Sequence, residues 1–344
     1  MLAPFGWMYG FGMEVRNLCY EVGVFKTHRL PVPVVSVGNL TVGGTGKTPL
    51  IVEIAEELRR RRSSVRIGIL SRGYKGRPGS KWVVSDGLRI EMSVEEAGDE
   101  PVVLAKRLPG VKVFVGKDRV AVARKALTRF DLDLLILDDA FQHRRIHRDM
   151  DLLLIDGQRG FGNGRVLPAG PLREFPWNLS RASCVVVTHR KEGIPTNLRS
   201  WVPEKTPIYH ATFEVTRIFE GVSGGEVPLD ALRGKRLLGV CGIANPDSFK
   251  ETLEGLGAKI QDLVVFPDHH AYVPPDFSPI LERLKGKDEI VTTEKDWVKW
   301  HMKHPFRRVF VVAGVMRIHR AHELYDFMEK IVYNAKKCLK EDKG

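Results

Sequence analysis

The chain has 344 residues, of which 43% are hydrophobic and 28% are charged, and it carries a formal net charge of +12. These proportions exclude a disordered or low-complexity polypeptide, and the length is sufficient for two domains with sizeable cores. The positive charge favours an anionic partner, such as nucleic acid, anionic lipid or a phosphorylated substrate, and it does not distinguish among them.

The N-terminal segment is rich in aromatic and aliphatic side chains ("MLAPFGWMYGFGMEVRNLCYEVGVF"). Glu14 and Arg16 interrupt it before it reaches the length that spans a bilayer, and it lacks the basic start and cleavage site of a signal peptide. Two structures remain open for this segment. It is either a helix packed on the protein or a helix that lies in a membrane interface, where Trp and Tyr are favoured.

Apolar runs alternate with helical periodicity over the first half of the chain. The runs predict strands at residues 32–40, 65–70, 111–116, 132–139, 151–157 and 184–189. Strands that alternate with helices in this way form a parallel sheet with helices on both faces. We therefore predict an α/β fold built on a mostly parallel sheet.

The pattern changes near residue 209, where polar and apolar side chains alternate as they do in an exposed antiparallel strand. A later apolar segment, residues 307–318, is a candidate partner for that strand. Further strand and helix patterns between the two segments predict a second, smaller α/β domain. The expected organisation is a first domain at 1–207, linker strands at 208–220 and 307–318, the smaller domain at 221–306, and a C-terminal helix and tail at 319–344.

The segment "SVGNLTVGGTGKTPL" lies between a predicted strand and a predicted helix, which is the context that a P-loop requires. Backbone N–H groups of such a loop surround phosphates, Lys47 neutralises the β and γ oxygens, and Thr48 offers its hydroxyl to Mg²⁺. Thr41 stands where the usual pattern has its first glycine. A glycine-rich turn with a chance lysine is the weaker alternative, because strand and helix flank the loop. The expected nucleotide-binding residues here are Thr41, Val42, Gly43, Gly44, Thr45, Gly46, Lys47 and Thr48.

Two acidic residues, Asp138 and Asp139, end the apolar run "LLILDD". In a chain with a P-loop, a carboxylate at the end of another strand is suited to hold the metal ion, so a merely solvated turn is the weaker interpretation. The residues thus predict a Mg²⁺-dependent P-loop NTPase or kinase. They do not decide whether water or a substrate hydroxyl accepts the phosphoryl group.

Two segments hold candidates for a base that would serve a hydroxyl acceptor. Asp99 follows a glycine and precedes Pro101, a pattern that favours a helix cap over a catalytic carboxylate. The loop "FPDHHAY" holds Asp268, His269 and His270, which suit a base with its orienting partner, a solvated loop or a metal site. Metal is the least supported of the three, because no further ligand lies nearby at a suitable spacing.

Two loops with arginine, aromatic and amide side chains follow predicted strands: "SRGYKGR" and "QHRRIHRD". We expect them at the same edge of the sheet as the P-loop, which is where doubly wound folds bind ligands. Arginine at that edge suits phosphate recognition, so we favour a ligand role over ordinary solvated loops. A long Gly- and Pro-containing loop, residues 160–175, is of the kind that is often functional.

Taken in chain order, seven segments resemble the tetraacyldisaccharide 4'-kinase (lipid A 4'-kinase) family. They are "SVGNLTVGGTGKTP", "SRGYKG", "GDEP", "DDAFQHRRIHRDMDLLLID", "GNGRVLPAGPLRE", "DHHAY" and "TTEKD", and they span about residues 35–296. The resemblance implies a P-loop NTPase-like fold and accounts for Thr41, since the family has an imperfect first P-loop position. It also implies a reaction in which Mg²⁺-ATP phosphorylates the 4'-hydroxyl of a tetraacylated disaccharide 1-phosphate, giving the lipid IVA-type intermediate of lipid A biosynthesis.

The resemblance also implies where the protein works. We expect a peripheral enzyme on the cytoplasmic face of the inner membrane, with the N-terminal helix in the interface. Its partners would be the acylated disaccharide phospholipid and the membrane surface, and its basic charge would meet anionic lipid and the 1-phosphate of the substrate. We expect a monomer that does not bind nucleic acid.

Residue roles follow from the same resemblance. Lys47 is expected to bind phosphate, Thr48 and Asp138 to serve Mg²⁺, and Asp99 to be the general base, which displaces the helix-cap interpretation. His269 is expected to orient Asp99, with His270 as the open alternative. The remaining positions that match family motifs are Asp139 (catalytic), Arg173 and Glu174 (nucleotide), and Arg72, Tyr74, Arg119 and Gln142 (substrate).

Two other classes of protein are weaker alternatives. A membrane-associated P-loop ATPase of the partitioning type carries a signature lysine where this chain has Val42, and it has no need of Asp99 or the histidine-bearing loop. A nucleic-acid binder is suggested only by charge, and no known binding module or aromatic-basic interleaving supports it.

Overall fold

The structure is a computed structural model that describes residues 2–190, 193–194, 196–284, 289–300 and 304–341. Its helices are α1 (Ala3–Glu21), α2 (Lys47–Arg61), α3 (Val94–Ala97), α4 (Asp99–Arg107), α5 (Arg119–Arg129), α6 (Thr196–Arg199), α7 (Pro246–Gly255), α8 (Phe277–Leu284), α9 (Glu294–Trp300) and α10 (His322–Glu341). Short 3-10 helices are Pro176–Arg181, Leu229–Leu232 and Pro274–Asp276.

The strands are β1 (Val34–Asn39), β2 (Ile67–Ser71), β3 (Val83–Ser85), β4 (Lys112–Val115), β5 (Leu134–Asp138), β6 (Met150–Asp156), β7 (Cys184–Thr188), β8 (Ile208–Glu220), β9 (Glu226–Val227), β10 (Arg236–Cys241), β11 (Lys259–Val265), β12 (Glu289–Thr293) and β13 (Val309–His319). Met1, Asp288, where the apolar run "IVTT" is preceded by acidic residues, and tail residues 342–344 lie outside the described residues.

Among the described residues, all thirteen strands belong to one sheet, in the order β11-β10-β12-β13-β8-β7-β6-β1-β5-β2-β4-β3, with β9 beside β8. Neighbouring strands in the series β7, β6, β1, β5, β2 and β4 are parallel to each other. Neighbouring strands in the series β11, β10, β12 and β13 are parallel as well. The predicted mostly parallel α/β fold is therefore confirmed.

The antiparallel pair of β8 and β13 joins the two parallel sets of strands. These strands correspond to the predicted linker segments, and they continue the sheet on both sides rather than leaving it. Strand β8 is 13 residues long and β13 is 11, which gives the junction an extended ladder of backbone hydrogen bonds. The division of the chain into two domains at this junction stays a prediction.

The central strands are buried on both faces, which explains why they read as continuous apolar runs. On β5, Leu134 and Ile136 pack into the cluster that contains α2 and α4, whereas Leu135 and Leu137 pack into the cluster beneath α5. The second parallel set repeats this arrangement, with alternate residues of β10 in two different clusters. A sheet covered on both faces leaves its strand ends as the place for polar chemistry.

Helix α1 packs on the segment between β6 and β7, at residues 166–178, through a narrow face of small and polar residues. Gly6, Gly10 and Asn17 are its buried positions. A Cβ atom at Gly10 would collide with the ring of Phe175, so the close approach of α1 requires glycine there. Beneath the helix, the Asn17 side chain donates hydrogen bonds to Glu174 Oε2 (3.2 Å) and Asn178 Oδ1 (3.1 Å).

Candidate active site

The P-loop joins the end of β1 to the start of α2. Its last residue, Gly46, has φ of 85°, a left-handed conformation that favours glycine, and α2 begins directly after it at Lys47. The Asn39 side chain donates a hydrogen bond to Thr45 Oγ1 (3.1 Å), which ties the loop to the strand that precedes it. The N-terminus of α2 thus faces the loop, and backbone N–H groups at such a terminus favour anionic ligands.

Lys47 lies close to the acidic end of β5, although the two segments are far apart in the sequence. Its Nζ atom is 3.5 Å from Asp139 Oδ1. Arg173 donates to both carboxylate oxygens of Asp139 at 2.8 Å, and Arg119 donates to the Asp139 carbonyl at 3.1 Å. Burial alone would raise the pKa of Asp139, but Lys47 and Arg173 outweigh it and lower the pKa to about 2.

Asp138 lies in a different environment from its neighbour. It is buried, Oδ2 accepts a hydrogen bond from Ser71 Oγ (2.9 Å), and Oδ1 has no hydrogen-bond partner among the described residues. Burial raises the pKa of Asp138, and the nearby charges of Glu100 and Asp139 raise it further. A buried carboxylate oxygen without a partner is costly unless a cation or proton meets it.

Asp138 and Thr48 fit a Mg²⁺ ion of the kind found with nucleotides. Thr48 lines the same cleft as Asp138. Among the described residues, no group of three or more His, Cys, Asp or Glu side chains could hold a metal by itself. Mg²⁺ in kinases is usually held by one or two carboxylates, with phosphate oxygens and water completing the octahedron, so this small donor set is suitable.

A cleft of about 850 Å³ brings these residues together with loops from the second parallel set. Most of the residues predicted for the site line it. They are Val42 to Thr48 of the P-loop, Asp138, Asp139, Arg173, the predicted substrate residues Arg72, Tyr74, Arg119 and Gln142, and His269.

Three predicted residues are not on the cleft wall. Thr41 is buried and forms an isolated bridge with Leu172. Glu174 is 0% exposed and accepts hydrogen bonds from Asn17 and Arg181 beneath α1, so the structure does not bring it to the nucleotide side of the cleft. Asp99 is 5% exposed and lies directly behind His269.

Asp99 and His269 form a close pair although they come from different parallel sets of the sheet. The His269 Nδ1 atom is 3.0 Å and 2.9 Å from the two carboxylate oxygens of Asp99. Burial raises the pKa of Asp99, but the hydrogen bond from His269 and the charge of Lys295 outweigh it and lower the pKa to about 2. The cap of α4 is Gly98, and Asp99 is the first residue inside the helix, so the helix-cap interpretation does not describe its geometry.

His270 faces the other way. Its Nε2 atom is 2.8 Å from Asp276 Oδ2, and its ring stacks on Phe266. Neither His270 nor Asp276 lines the cleft. The structure therefore selects His269 as the histidine in contact with Asp99.

Sequence reasoning missed several charged residues on the cleft wall, and Glu100 and Lys295 are two of them. The Lys295 Nζ atom lies 3.7 Å from Glu100 Oε1, 2.9 Å from Asp268 Oδ1 and 3.2 Å from His269 Nε2. Glu100 adjoins Asp99, and Lys295 lies within the segment "TTEKD", but nothing in either local pattern indicates that they meet.

A strand, a glycine-rich loop and a helix in this order, on a parallel sheet with a buried carboxylate on the adjacent strand, define a P-loop nucleotide-binding protein. The comparisons with known proteins narrow that class. Residues 1–333 match the family described as tetraacyldisaccharide-1-P 4'-kinase, and the chain belongs to that family.

Curated relatives are similar over most of their length. The chain is 42% identical to a tetraacyldisaccharide 4'-kinase of Geobacter sulfurreducens over 319 residues, covering 90% of this chain and 86% of that protein. It is 40% identical to the corresponding protein of Syntrophus aciditrophicus over 314 residues, covering 87% and 83%. These similarities do not favour the partitioning-type ATPase.

A solved structure is similar in fold as well as sequence. The chain superposes on a crystal structure of LpxK from Aquifex aeolicus in complex with ATP with a TM-score of 0.79. The two are 34% identical, and the match covers 96% of this chain and 98% of that one. The P-loop kinase fold that was expected from the sequence is thus confirmed.

Proposed function

We propose that this protein is an ATP-dependent tetraacyldisaccharide 4'-kinase of lipid A biosynthesis. The observation that carries the proposal is one cleft lined by the P-loop lysine, by the buried carboxylate of Asp138 with its unpartnered oxygen Oδ1, and by a histidine in contact with Asp99. Family membership supports the substrate, and the ATP complex of the Aquifex relative supports the nucleotide.

The residues of this chain divide into a donor side and an acceptor side. The P-loop amides and Lys47 hold the β- and γ-phosphates and neutralise the charge that spreads over the transferred group. Asp138 and Thr48 would hold Mg²⁺, which would supply positive charge to neutralise the phosphates. Arg173 and Lys47 both pair with Asp139, which keeps this carboxylate fixed beside the phosphate site.

On the acceptor side, Asp99 takes the proton of the 4'-hydroxyl as the oxygen bonds to the γ-phosphorus, while the bond from that phosphorus to the β–γ bridging oxygen breaks and ADP leaves. A base with a low pKa is adequate, because phosphoryl transfer through a loose transition state needs little deprotonation of the nucleophile before bond formation. Asp99 lies behind His269, so access to it requires a movement of the loop that carries His269. We propose that closure over substrate makes this adjustment.

The direct test is transfer of label from γ-labelled ATP, with Mg²⁺, to detergent-dispersed tetraacyldisaccharide 1-phosphate. We expect labelled lipid to accumulate with time and with enzyme concentration. Release of label only as inorganic phosphate, at the same rate with and without lipid, would mean that the protein is an ATPase and not this kinase.

Replacing His269 by Ala is expected to lower kcat by about 10- to 100-fold while the KM for ATP changes by less than about threefold. The reason is that His269 contacts Asp99 and not the P-loop. The measurement is steady-state kinetics with lipid saturating and ATP varied. His270→Ala is the matched control, since the neighbouring histidine pairs with Asp276 away from the cleft and its loss should leave kcat nearly unchanged. A rise in the KM for ATP with an unchanged kcat would contradict the role proposed for His269.

The exposed side chains of helix α1 support the proposal that the protein acts at a membrane surface. Tyr9, Met13 and Arg16 line the cleft, whereas Trp7 (68% exposed) and Phe11 (69% exposed) face solvent. Further large apolar side chains on the exposed face are Leu2, Phe5, Met8, Val15 and Leu18. Among the described helices, none combines the length and apolar character that crossing a membrane needs. We propose that α1 lies in the interface on the cytoplasmic face of the inner membrane and leads the acylated substrate into the adjoining cleft.

Replacing Trp7 and Phe11 together by Ser is expected to reduce binding to anionic phospholipid vesicles by about tenfold or more, because each large apolar side chain contributes about 1.5–3 kcal/mol when buried. Vesicle co-sedimentation measures the effect. The matched control is Phe327→Ser with Tyr333→Ser, which removes two exposed aromatic side chains from α10 instead. Equal losses in both double variants would speak against a specific role of α1.

The net positive charge of the protein suits the anionic substrate of the proposed reaction. Arg72, Arg119 and Gln142 lie along the cleft wall, and we propose that arginine there pairs with the 1-phosphate of the disaccharide. Nucleic acid is not proposed as a partner, and we propose that the protein acts as a monomer.

A further inference from the structure

Three of the six tryptophans of the chain lie in one row of aromatic rings on the protein surface. The ring of Trp7 on α1 contacts that of Phe175, with centroids 5.7 Å apart, and Phe175 stacks on Trp177 at 4.3 Å. Trp177 in turn lies 6.5 Å from Trp201. The row therefore begins on α1 and continues, ring by ring, onto two segments that are distant from α1 in the sequence.

The tryptophans of this row are open to solvent. Trp7 is 68% exposed, Trp177 is 46% exposed and Trp201 is 39% exposed. A single exposed aromatic side chain is ordinary on a soluble protein, whereas a contiguous apolar patch indicates an interaction surface. The other three tryptophans, which pack against the interior clusters, are Trp82, Trp297 and Trp300.

The two tryptophans beyond α1 are held at the surface by the packing of their own segments. Trp201 lies in a turn between Leu198 and Val202, which are both buried in the cluster that covers β6 and β7. Its backbone N–H donates to the Leu198 carbonyl at 3.0 Å. Trp177 lies in the 3-10 helix Pro176–Arg181, and the residues on either side of it are buried. Because buried neighbours fix both segments, the outward direction of the two rings is a property of the fold.

The chemistry of the row suits the boundary between lipid and water. The Nε1–H of Trp177 donates to Glu14 Oε2 on α1 at 3.1 Å, so the ring can enter an apolar phase without leaving its donor unpaired. Indole rings are favoured at that boundary. Near Trp201, the exposed charged residues of segment 198–206 are Arg199, Glu204 and Lys205, and their net positive charge suits anionic headgroups.

A second copy of the chain is a poorer occupant of this surface than a bilayer. A tryptophan side chain has at most about 250 Å² of surface, so the exposed parts of Trp177 and Trp201 amount to roughly 200 Å². A stable interface between proteins takes about 800 Å² from each partner. A bilayer needs no complementary surface, and here it would extend the contact proposed for α1.

We propose that Trp177 and Trp201 form a second membrane-contact element, which enters the lipid interface beside α1. The inference rests on the proposed function, because that proposal places α1 in the interface. A single helix in the interface leaves the protein free to rotate about the helix axis. A second contact beside that axis fixes the angle at which the cleft, lined by Tyr9 and Met13 of α1, faces the bilayer.

The test measures the tryptophan fluorescence of the full-length protein on anionic phospholipid vesicles whose acyl chains carry bromine, which quenches a ring only on close approach. We expect Trp7→Phe to retain most of the quenching of the unaltered protein, because two of the three surface tryptophans remain. Adding Trp177→Phe and Trp201→Phe should abolish it, since the remaining tryptophans are the interior ones. The control Trp82→Phe removes one interior ring and should leave the quenched intensity unchanged.

Vesicle binding provides the second readout. We expect Trp177→Ser with Trp201→Ser to weaken binding to the same vesicles by about tenfold, because two half-exposed rings no longer enter the lipid. The matched control is Phe327→Ser with Tyr333→Ser, which removes two exposed rings from α10 and should leave binding unchanged. Phosphorylation of detergent-dispersed lipid should also be unchanged in the tryptophan variant, since neither ring lines the cleft.

The outcomes separate this inference from the proposed function. Loss of all quenching in Trp7→Phe would overturn the inference, because attachment would then run through α1 alone, and this result does not depend on whether the serine variant folds. A lipid-free dimer that Trp177→Ser with Trp201→Ser converts to a monomer would also overturn it, since the row would then join two copies. Absence of lipid phosphorylation in detergent, with quenching in Trp7→Phe intact, would overturn the kinase proposal and leave the second membrane contact supported.

Discussion

Replacing Asp99 by Asn is expected to lower kcat for lipid phosphorylation by about 10²–10⁴-fold, with the KM for ATP within about threefold of the unaltered value. Asn has the same shape as Asp and retains an oxygen that accepts the Glu100 backbone N–H and the proton of His269 Nδ1. It cannot take a proton from the substrate hydroxyl. The loss therefore falls on the chemical step, and steady-state kinetics with ATP and lipid varied in turn measure it.

Asp276→Asn is the matched control for this prediction. Asp276 pairs with the adjacent histidine, His270, at 2.8 Å, but the pair lies away from the cleft. Its replacement removes the same charge from the same kind of contact, and we expect kcat to stay within about twofold. Equal losses in the two variants would show that His–Asp contacts matter here for the structure of the loop, and Asp99 would lose its place as the base.

The same substitution has a consequence for stability. The pKa of Asp99 is lowered to about 2 in the folded protein, below its ordinary value of 3.8. A carboxylate of this kind stabilises the folded state above the unfolded pKa, and the contribution disappears as the pH falls through the folded pKa. The difference in free energy of unfolding between the unaltered protein and Asp99→Asn should thus be constant near neutral pH and diminish between about pH 4 and pH 2.

The second large effect is expected for Lys47→Ala, which should reduce kcat/KM for ATP by about 10³-fold. Removing one group that stabilises charge in a transition state costs about 10²–10³ in kcat, and loss of the phosphate contact weakens nucleotide binding in addition. Lys47 is nearly buried, its ammonium lies 3.5 Å from Asp139 Oδ1, and the P-loop segment 41–48 contains no other lysine that could replace it. Phosphate transfer measured across a range of ATP concentrations separates the two contributions.

Folding should survive the loss of Lys47, because Arg173 still pairs with both oxygens of Asp139. Circular dichroism and the melting temperature check this. The matched control is Lys81→Ala, which breaks an exposed ion pair with Glu96 outside the cleft and should leave turnover unchanged. If Lys47→Ala retained normal turnover of ATP, its pair with Asp139 would be purely structural and the phosphate role of the loop would have to be abandoned.

The P-loop and the strands of the first half could be predicted because their signals are local. A buried parallel strand is a continuous apolar run, and the glycine-rich turn and the helix follow it within 15 residues of sequence. The predicted and observed elements accordingly agree at β1, α2, β5 and β6. The placement of Arg72 and Gln142 on the P-loop side also follows, since parallel strands end at the same edge.

Other features could not be read from local patterns because they depend on contacts between distant segments. Glu174 stands next to Arg173, yet one is sealed beneath α1 by Asn17 and Arg181 and the other reaches Asp139. Successive side chains of an extended segment point in different directions. The packing of α1 against this segment then decides which of the two side chains is buried. A family motif identifies such a pair without saying which surface each residue serves.

By itself, the sequence determined the α/β class, the P-loop with Lys47 and Thr48, the acidic end of β5, and the family. The tertiary structure decided which of two adjacent histidines meets Asp99, and it placed Lys295 on the other side of that ring. The physical reason is that His269 has a left-handed backbone, with φ of 58°, and this turns the two identical side chains toward different carboxylates. Residue type carries no information about that choice, because only the path of the loop between β11 and α8, set by packing of the second parallel set, fixes the direction of each ring.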